Sequence, residues 1–214
     1  CEKEHITRLE SLVHLDGLTG LYNYRYLRDI LIRQVDDCTK RGISLALIIV
    51  DIDHFKQYND LFGHQTGDIV LRQLADLLKK EAGSDYIAAR YGGASFALLM
   101  PDTDERCAIE KAEKIRKGFE ELHIEKEEYL PDGKLTVSVG LSVFPAKAAN
   151  AIQLFDNADE ALYRAKFLQR NRVEAYYSIL DDIQGSLSGE HRDIVASIKT
   201  LIAVINSRDN YTYT

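Results

Sequence analysis

The sequence predicts an α+β domain, in which a central β-sheet is flanked by helices, followed by a C-terminal helical extension. Segments with helical periodicity alternate with short apolar segments over most of the chain, an order typical of sheet-and-helix domains. Residues 45–52 form a nearly continuous apolar run, which is typical of a strand buried on both faces of a sheet. After residue 175 only helical periodicity remains, so we expect the sheet to end there.

The individual elements follow from the spacing of the apolar residues. Ile6, Leu9 and Leu12 have helical spacing and predict that residues 1–15 are a helical lead-in from an upstream region. The same spacing predicts an amphipathic helix over residues 24–40. Further helices are expected near 65–82, 103–122, 150–169 and within 176–214, and strands near 45–52, 86–100 and 135–145.

The composition is that of an ordinary globular domain. The chain has 214 residues, of which 45% are hydrophobic and 29% are charged. Acidic residues (34) outnumber basic residues (27), and the net charge of −7 argues against a nucleic-acid-binding or anionic-membrane-binding surface. A local basic pocket for phosphate is compatible with this charge. Because the chain as a whole is acidic, we expect any nucleotide that binds to be small.

Cysteine usage and hydropathy indicate a cytoplasmic segment. Cys1, Cys38 and Cys107 are too few and too widely spaced for a disulfide framework or a metal cluster. No apolar run approaches the roughly 18 residues that span a bilayer, and no signal peptide is evident. Because the chain begins without methionine, we expect it to be a segment of a longer protein. The localisation of that protein, including any upstream membrane anchor, stays open.

Residues 90–96 predict a tight hairpin. Two short apolar segments, 86–91 and 94–100, are joined at Gly92-Gly93. Glycine adopts positive φ without strain and has no side chain, so this turn also lets a ligand approach the backbone closely.

Five further segments carry motifs in a fixed order. They are residues 16–23 (DGLTGLYN), 51–60 (DIDHFKQYND), 63–68 (GHQTGD), 137–140 (VSVG) and 158–166 (ADEALYRAK). Together with the Gly-Gly hairpin, they resemble the GGDEF family, the diguanylate cyclases that condense two GTP molecules into cyclic di-GMP. The resemblance covers about residues 16–175 and implies a nucleotide-cyclase palm-type central sheet.

The resemblance implies a metal site that is incomplete in this chain. Phosphoryl transfer needs neutralisation of the triphosphate charge, which Mg²⁺ held on carboxylates normally supplies. The family's metal ligands correspond to the Asp51 carboxylate, the main-chain carbonyl of Ile52 and an acid at the third signature position, with a catalytic acid at the fourth. We expect weakened Mg²⁺ binding at Asp51 and Ile52 and no catalytic residue, since both acids are missing. The signature reads Gly92, Gly93, Ala94, Ser95 and Phe96.

The resemblance also implies a nucleotide pocket. Asn59 and Asp68 match the residues that read the guanine edge, and an amide with a carboxylate suits the O6 acceptor and the N1 and N2 donors of guanine. Lys166 and Arg170 lie four residues apart, so on one helix both cations would project from the same face as a phosphate clamp. From the residues alone, Asn59 would be a turn residue and the cation pair a solvated helix face. The expected nucleotide-binding residues are Phe55, Lys56, Asn59, Asp68, Lys166 and Arg170.

Other positions in these motifs are expected to bind no ligand. The family's inhibitory Arg-x-x-Asp motif would begin at Gly83 and end at Tyr86, so cyclic di-GMP binding is not expected there. We expect Asp53 to start a helix or to pack in the core. His54 and His64 are assigned no metal, since lone histidines are more often structural or exposed.

A second family resemblance lies near the C-terminus. Residues 193–212 resemble the opening helix of HD-GYP domains, the metal-dependent phosphodiesterases that cleave cyclic di-GMP. The expected organisation is a lead-in (1–15), a degenerate GGDEF domain (16–175) and a helical linker with the start of a truncated HD-GYP domain (176–214). The alternative for this last segment is a plain helical extension.

These features predict a catalytically inactive regulatory module that binds GTP and modulates a C-terminal HD-GYP phosphodiesterase. Two alternatives stay open: an active cyclase with an atypical signature that recruits Asp102 or Asp104, and a scaffold that has lost ligand binding and keeps only protein contacts. The expected partners are GTP, the HD-GYP domain and a second copy of the chain in a homodimer. Nucleic acid and membrane are not expected to bind this segment.

Overall fold

The computed structural model describes residues 14–130 and 133–178. The chain divides into two compact units, residues 1–176 and 177–214, and the first contains the sheet and its helices. The predicted lead-in (1–15) and C-terminal segment (176–214), with the HD-GYP-like residues 193–212, lie almost wholly outside the described residues and stay predictions. None of the helices described in the structure is long and apolar enough to cross a membrane.

The described residues form an α+β domain, as predicted, with one mixed sheet. Its strands are β1 (Tyr22–Asn23), β2 (Leu45–Ile52), β3 (Ile87–Gly92), β4 (Ser95–Pro101), β5 (Val137–Phe144) and β6 (Val173–Ala175). Their spatial order is β1-β3-β4-β2-β5-β6, which places β2 inside the sheet. The pairs β1–β3 and β5–β6 are parallel, whereas the inner pairs are antiparallel. Strands β1 and β6 were not predicted, because two or three residues are too few to show a period.

Four of the helices lie within two residues of their predicted bounds. The fifth, α2, was not predicted because eight residues make only about two turns, too few for helical periodicity to be recognised. The helices in the described part of the chain are α1 (Tyr24–Arg41), α2 (Phe55–Phe62), α3 (His64–Ala82), α4 (Glu105–Glu120) and α5 (Ala151–Phe167), with a short 3-10 helix at Glu127–Tyr129.

The sheet has a helical layer on each face. Alternate residues of β2 point to opposite faces: Ile48 and Val50 pack in a buried core with α3 and α4, whereas Leu47 and Ile49 pack in a second buried core with α1 and α5. Asp51 continues the alternation of Leu47 and Ile49. The end of β2 therefore directs this carboxylate towards the α5 side of the sheet.

Gly140 allows α5 to lie close to β5. A Cβ atom at this position would lie 2.1 Å from the backbone nitrogen of Leu162 and 2.3 Å from the carbonyl oxygen of Ala158. Any other residue would force the helix away from the strand, because the clashing atoms belong to the backbone. This contact helps to position the C-terminal end of α5 beside the end of β2.

Candidate functional site

A cleft of about 560 Å³ opens where β2 ends beside the β3–β4 hairpin. Every residue predicted for the nucleotide or for the metal lines it except Asp68. Gly93 and Ala94 of the hairpin line it as well. Residues that are far apart in the sequence, from Asp51 to Arg170, therefore meet at one concave surface.

Asp51 is the centre of a network of side chains in this cleft. It stands opposite Ser95 on β4, and its side chain is only 14% exposed. Lys166 Nζ donates a hydrogen bond to Oδ1 over 2.7 Å, and Ser95 Oγ donates one to Oδ2. Both oxygens of the predicted metal ligand are thus engaged by an ammonium group and a hydroxyl group of the chain itself.

The hairpin is held by Arg90, whose role the motifs did not reveal. Its guanidinium donates to the carbonyl oxygen of Gly93 over 2.7 Å and 3.1 Å, and it forms an ion pair with Asp16 at 3.2 Å. Burial raises the pKa of Asp16, but hydrogen bonds from Thr19 and the charge of Arg90 outweigh burial and hold that pKa below its ordinary value. The loop over residues 16–23 therefore anchors the turn that forms one wall of the cleft.

Tyr91 stands behind the same wall and adds no charge to it. Its ring packs edge-on against Phe155 of α5, with the ring centroids 5.6 Å apart. Burial, together with the nearby carboxylate of Asp159, raises the pKa of Tyr91 to about 12. The phenol is therefore neutral near pH 7.

Lys166 and Arg170 both line the cleft, but the prediction that one helix carries both is wrong. Helix α5 ends at Phe167, and residues 169–171 have φ of 82°, 61° and 45°. This left-handed backbone is uncommon for residues other than glycine, so periodicity alone could not predict it. It is closed by a hydrogen bond from the Arg170 backbone nitrogen to the Ala165 carbonyl over 3.1 Å.

Asp53 and Asn171 fix this loop to the sheet. Asp53 is 2% exposed and accepts hydrogen bonds from the hydroxyls of Thr136 and Ser138, each over 2.7 Å, and from the Asn171 backbone nitrogen over 3.1 Å. The Asn171 side chain accepts a further hydrogen bond from Arg116 over 2.7 Å. Asp53 is therefore a packing residue that holds the loop carrying Arg170.

Asn59 lines the cleft, and its side-chain oxygen lies beside Gly67 of α3. Within the described residues its Oδ1 atom is buried and has no hydrogen-bond partner. A Cβ atom at Gly67 would lie 1.9 Å from this oxygen, so glycine on α3 leaves the room that the amide occupies. Asp68 is half-buried and is not among the residues that line the cleft, so its predicted role in reading guanine stays a prediction.

Residues 13–172 match the protein-family model described as Diguanylate cyclase, GGDEF domain. The chain belongs to the GGDEF family. Probable diguanylate cyclase DgcT of Escherichia coli (strain K12) is 35% identical over 164 residues, which cover 77% of this chain and 36% of DgcT. Probable diguanylate cyclase DgcC of the same strain is 36% identical over 175 residues, or 80% of this chain and 45% of DgcC. The chain thus spans less than half the length of these curated relatives.

Solved GGDEF domains share the fold. The coiled coil and GGDEF domain of DgcB from Caulobacter crescentus, crystallised in complex with c-di-GMP, aligns with a TM-score of 0.75 and 35% identity over 81% of this chain and 91% of that one. The active GGEEF domain of a diguanylate cyclase from Vibrio cholerae aligns with a TM-score of 0.66 and 29% identity over 73% and 97% of the two chains. The chain is therefore a GGDEF domain of cyclic di-GMP signalling.

The donors around Asp51 in this GGDEF domain do not fit Mg²⁺. The ion takes near-octahedral oxygen ligands at about 2.1 Å, yet Ala94 supplies no ligand and both Asp51 oxygens accept hydrogen bonds. His54 and His64 also line the cleft. Among residues 14–130 and 133–178, however, no three His, Cys, Asp or Glu side chains are grouped closely enough to hold a metal ion.

Proposed function

We propose that this GGDEF domain is a catalytically inactive regulatory module that binds GTP and modulates a C-terminal HD-GYP phosphodiesterase in a longer protein. One observation carries the proposal. The two positions beside Asp51 that would hold acids are Ala94 and Ser95, and Ser95 donates a hydrogen bond to Asp51. If metal neutralisation supplies about 4 kcal/mol to the transition state, its loss slows the reaction about a thousandfold.

Binding of GTP is supported by the groups that the cleft keeps. Asn59 lines the cleft, and an amide oxygen can accept from the N1 and N2 donors of guanine, whereas adenine has no donor at N1. Lys56 and Arg170 supply positive charge for a triphosphate on the same surface, which Lys166 also lines. Base recognition and phosphate binding therefore survive without the acids of the signature.

The regulatory part of the proposal rests on the resemblance of residues 193–212 to the opening helix of HD-GYP domains. GTP changes the activity of an attached phosphodiesterase only if it binds the two states of that enzyme with different affinity. Arg170 lies in the loop that joins α5 to β6, and β6 is the last strand described before the C-terminal segment. A phosphate bound by Arg170 would therefore contact the loop that precedes this last described strand.

The active-cyclase alternative needs carboxylates that reach Asp51, and Asp102 and Asp104 do not support it. Both follow β4 at its far end, where the Asp102 backbone nitrogen donates to the carbonyl of Ser44, whereas Ser95 begins the strand at the cleft. Seven residues of extended chain span about 20 Å, and neither residue lines the cleft.

Calorimetric titration of the 214-residue chain with GTP and with ATP, in Mg²⁺ buffer, tests the proposal when the nucleotide is afterwards analysed by mass spectrometry. We expect GTP to bind more tightly than ATP and to be recovered unreacted. Cyclic di-GMP that disappears in the Asp51→Ala variant would establish an active cyclase. Absence of binding by either nucleotide would establish the scaffold alternative.

A further inference from the structure

The charges that line the cleft are balanced within the chain itself. The lining carries three carboxylates and three cationic side chains, and Tyr91 behind it is neutral. Acids at positions 94 and 95 would add two negative charges, which a bound divalent cation would have to offset before a triphosphate could approach. Ala94 and Ser95 remove that need. The six charged residues are Asp51, Asp53, Asp60, Lys56, Lys166 and Arg170.

Lys166 already occupies the place that a cation would take at Asp51. Its Nζ atom lies 2.7 Å from Oδ1, while the Ser95 hydroxyl donates to Oδ2. A Mg²⁺ ion would need to lie about 2.1 Å from one of these oxygens, so it would compete with the ammonium at Oδ1 or with the hydroxyl at Oδ2. Repulsion between the two cations would add to the cost of exchange.

We propose that Lys166 is the built-in counter-ion of Asp51 and that this cleft binds its nucleotide without a divalent cation. The inference rests on the proposed function, because it concerns the same GTP site. Within the described part of the chain, the side chains of Lys56 and Arg170 form no ion pair. These two cations remain for the phosphates while Lys166 stays with Asp51.

The competing arrangement is that Lys166 moves to the phosphates when GTP arrives. Asp51 would then lose its partner in a cleft where its side chain is only 14% exposed, and a divalent cation would have to replace the ammonium. The two arrangements differ in one observable, which is whether a divalent cation binds at Asp51.

Manganese titration of the nucleotide-free chain, followed by electron paramagnetic resonance, measures this directly. We expect the parent chain and its Asp51→Asn variant to bind the same amount of Mn²⁺. Lys166→Met should gain a site that Asp51→Asn removes in the same background. Lys56→Met is the matched control, since it deletes a lysine from the same cleft without freeing Asp51, and it should gain no site. Asp51-dependent Mn²⁺ binding by the parent chain would overturn the proposal, as would equal gains in the two lysine variants.

GTP affinity measured in EDTA and in Mg²⁺ gives the second readout. We expect the two dissociation constants to agree within about threefold. A larger loss in EDTA would overturn the counter-ion proposal while leaving GTP binding established. If GTP binds in neither buffer, the proposed GTP-binding function and metal-free nucleotide binding both fail. The manganese titration still decides whether Lys166 prevents cations from binding to Asp51.

Discussion

The hydroxyl of Ser95 donates a hydrogen bond to the carboxylate of Asp51, directly across the β2–β4 pair. In a GGDEF signature the position of Ser95 would hold an acid, which would repel Asp51 unless a cation lay between them. Here the Ser95 hydroxyl at the same position donates a hydrogen bond to Asp51 instead. Ser95 therefore stabilises the Asp51 carboxylate without a metal.

Restoring both acids tests whether the rest of the site is intact. In the variant with Ala94→Asp and Ser95→Glu, carboxylates next to Asp51 would repel one another unless a cation binds. We expect Mg²⁺ to raise its melting temperature more than that of the parent chain. Trace cyclic di-GMP should also form, limited by the encounter of two domains. A folded variant that shows neither effect would favour the scaffold alternative.

Gly67→Ala should weaken GTP binding without unfolding the chain. The added methyl group would lie 1.9 Å from Asn59 Oδ1 and must displace the amide. We expect about a tenfold loss of GTP affinity, or about 1.4 kcal/mol, by calorimetry. Gly17→Ala is the control, because nothing lies within 4 Å of its Cβ position. Equal affinities in the two variants would show that Asn59 does not contact the nucleotide.

Arg90→Ala should loosen the hairpin. It leaves the partly buried Asp16 carboxylate and the Gly93 carbonyl without their guanidinium partner. We expect a loss of about 2 kcal/mol in the free energy of unfolding by urea. The control is Arg28→Ala, because the Arg28–Asp29 pair has side chains that are 62% and 51% exposed and should contribute less than about 0.5 kcal/mol. Similar losses would contradict an anchoring role for Arg90.

Glu81 should make stability depend on pH. Its side chain is 5% exposed and pairs with Lys111 and Lys114, each at 3.0 Å. Burial raises the pKa of Glu81, but the hydrogen bonds from Lys114 and Lys111 outweigh burial and lower it below the ordinary 4.5. A depressed pKa stabilises the fold above the unfolded value, and this stabilisation is lost as pH falls through the folded value.

Glu81→Gln should therefore cost about 2–3 kcal/mol at about pH 7, and the difference from the parent chain should shrink below about pH 4.5. Urea unfolding of both chains from about pH 7 to about pH 3 measures it. A difference that stays constant over this range would show that the carboxylate charge is not responsible.

Local patterns in the sequence were sufficient for most of the fold. Burial of a strand or of one helix face produces a pattern among residues that are close together in the sequence. Such patterns predicted β2, α1, α3, α4 and α5. The motifs also identified Asn59, Lys166 and Arg170 as residues of one cleft. Motif order, rather than periodicity, made that prediction possible.

The contacts that decide the state of the site could not be predicted in this way. Lys166 and Asp51 are 115 residues apart, Asn171 and Asp53 are 118 apart, and Arg90 and Asp16 are 74 apart. Periodicity describes neighbours within a few residues, so it placed Arg170 on α5. The long-range contacts of Asn171 hold the left-handed loop that the structure has instead.

One sample can show whether this GGDEF domain binds guanine nucleotide and whether it carries out the cyclase chemistry. The chain is incubated with equimolar GTP and ATP in Mg²⁺, free ligand is removed, and the retained nucleotide is identified by mass spectrometry. We expect unreacted GTP in excess over ATP and no cyclic di-GMP. Two results would contradict this expectation. One is cyclic di-GMP that forms with the parent chain but not with the Asp51→Ala variant, and the other is equal retention of GTP and ATP.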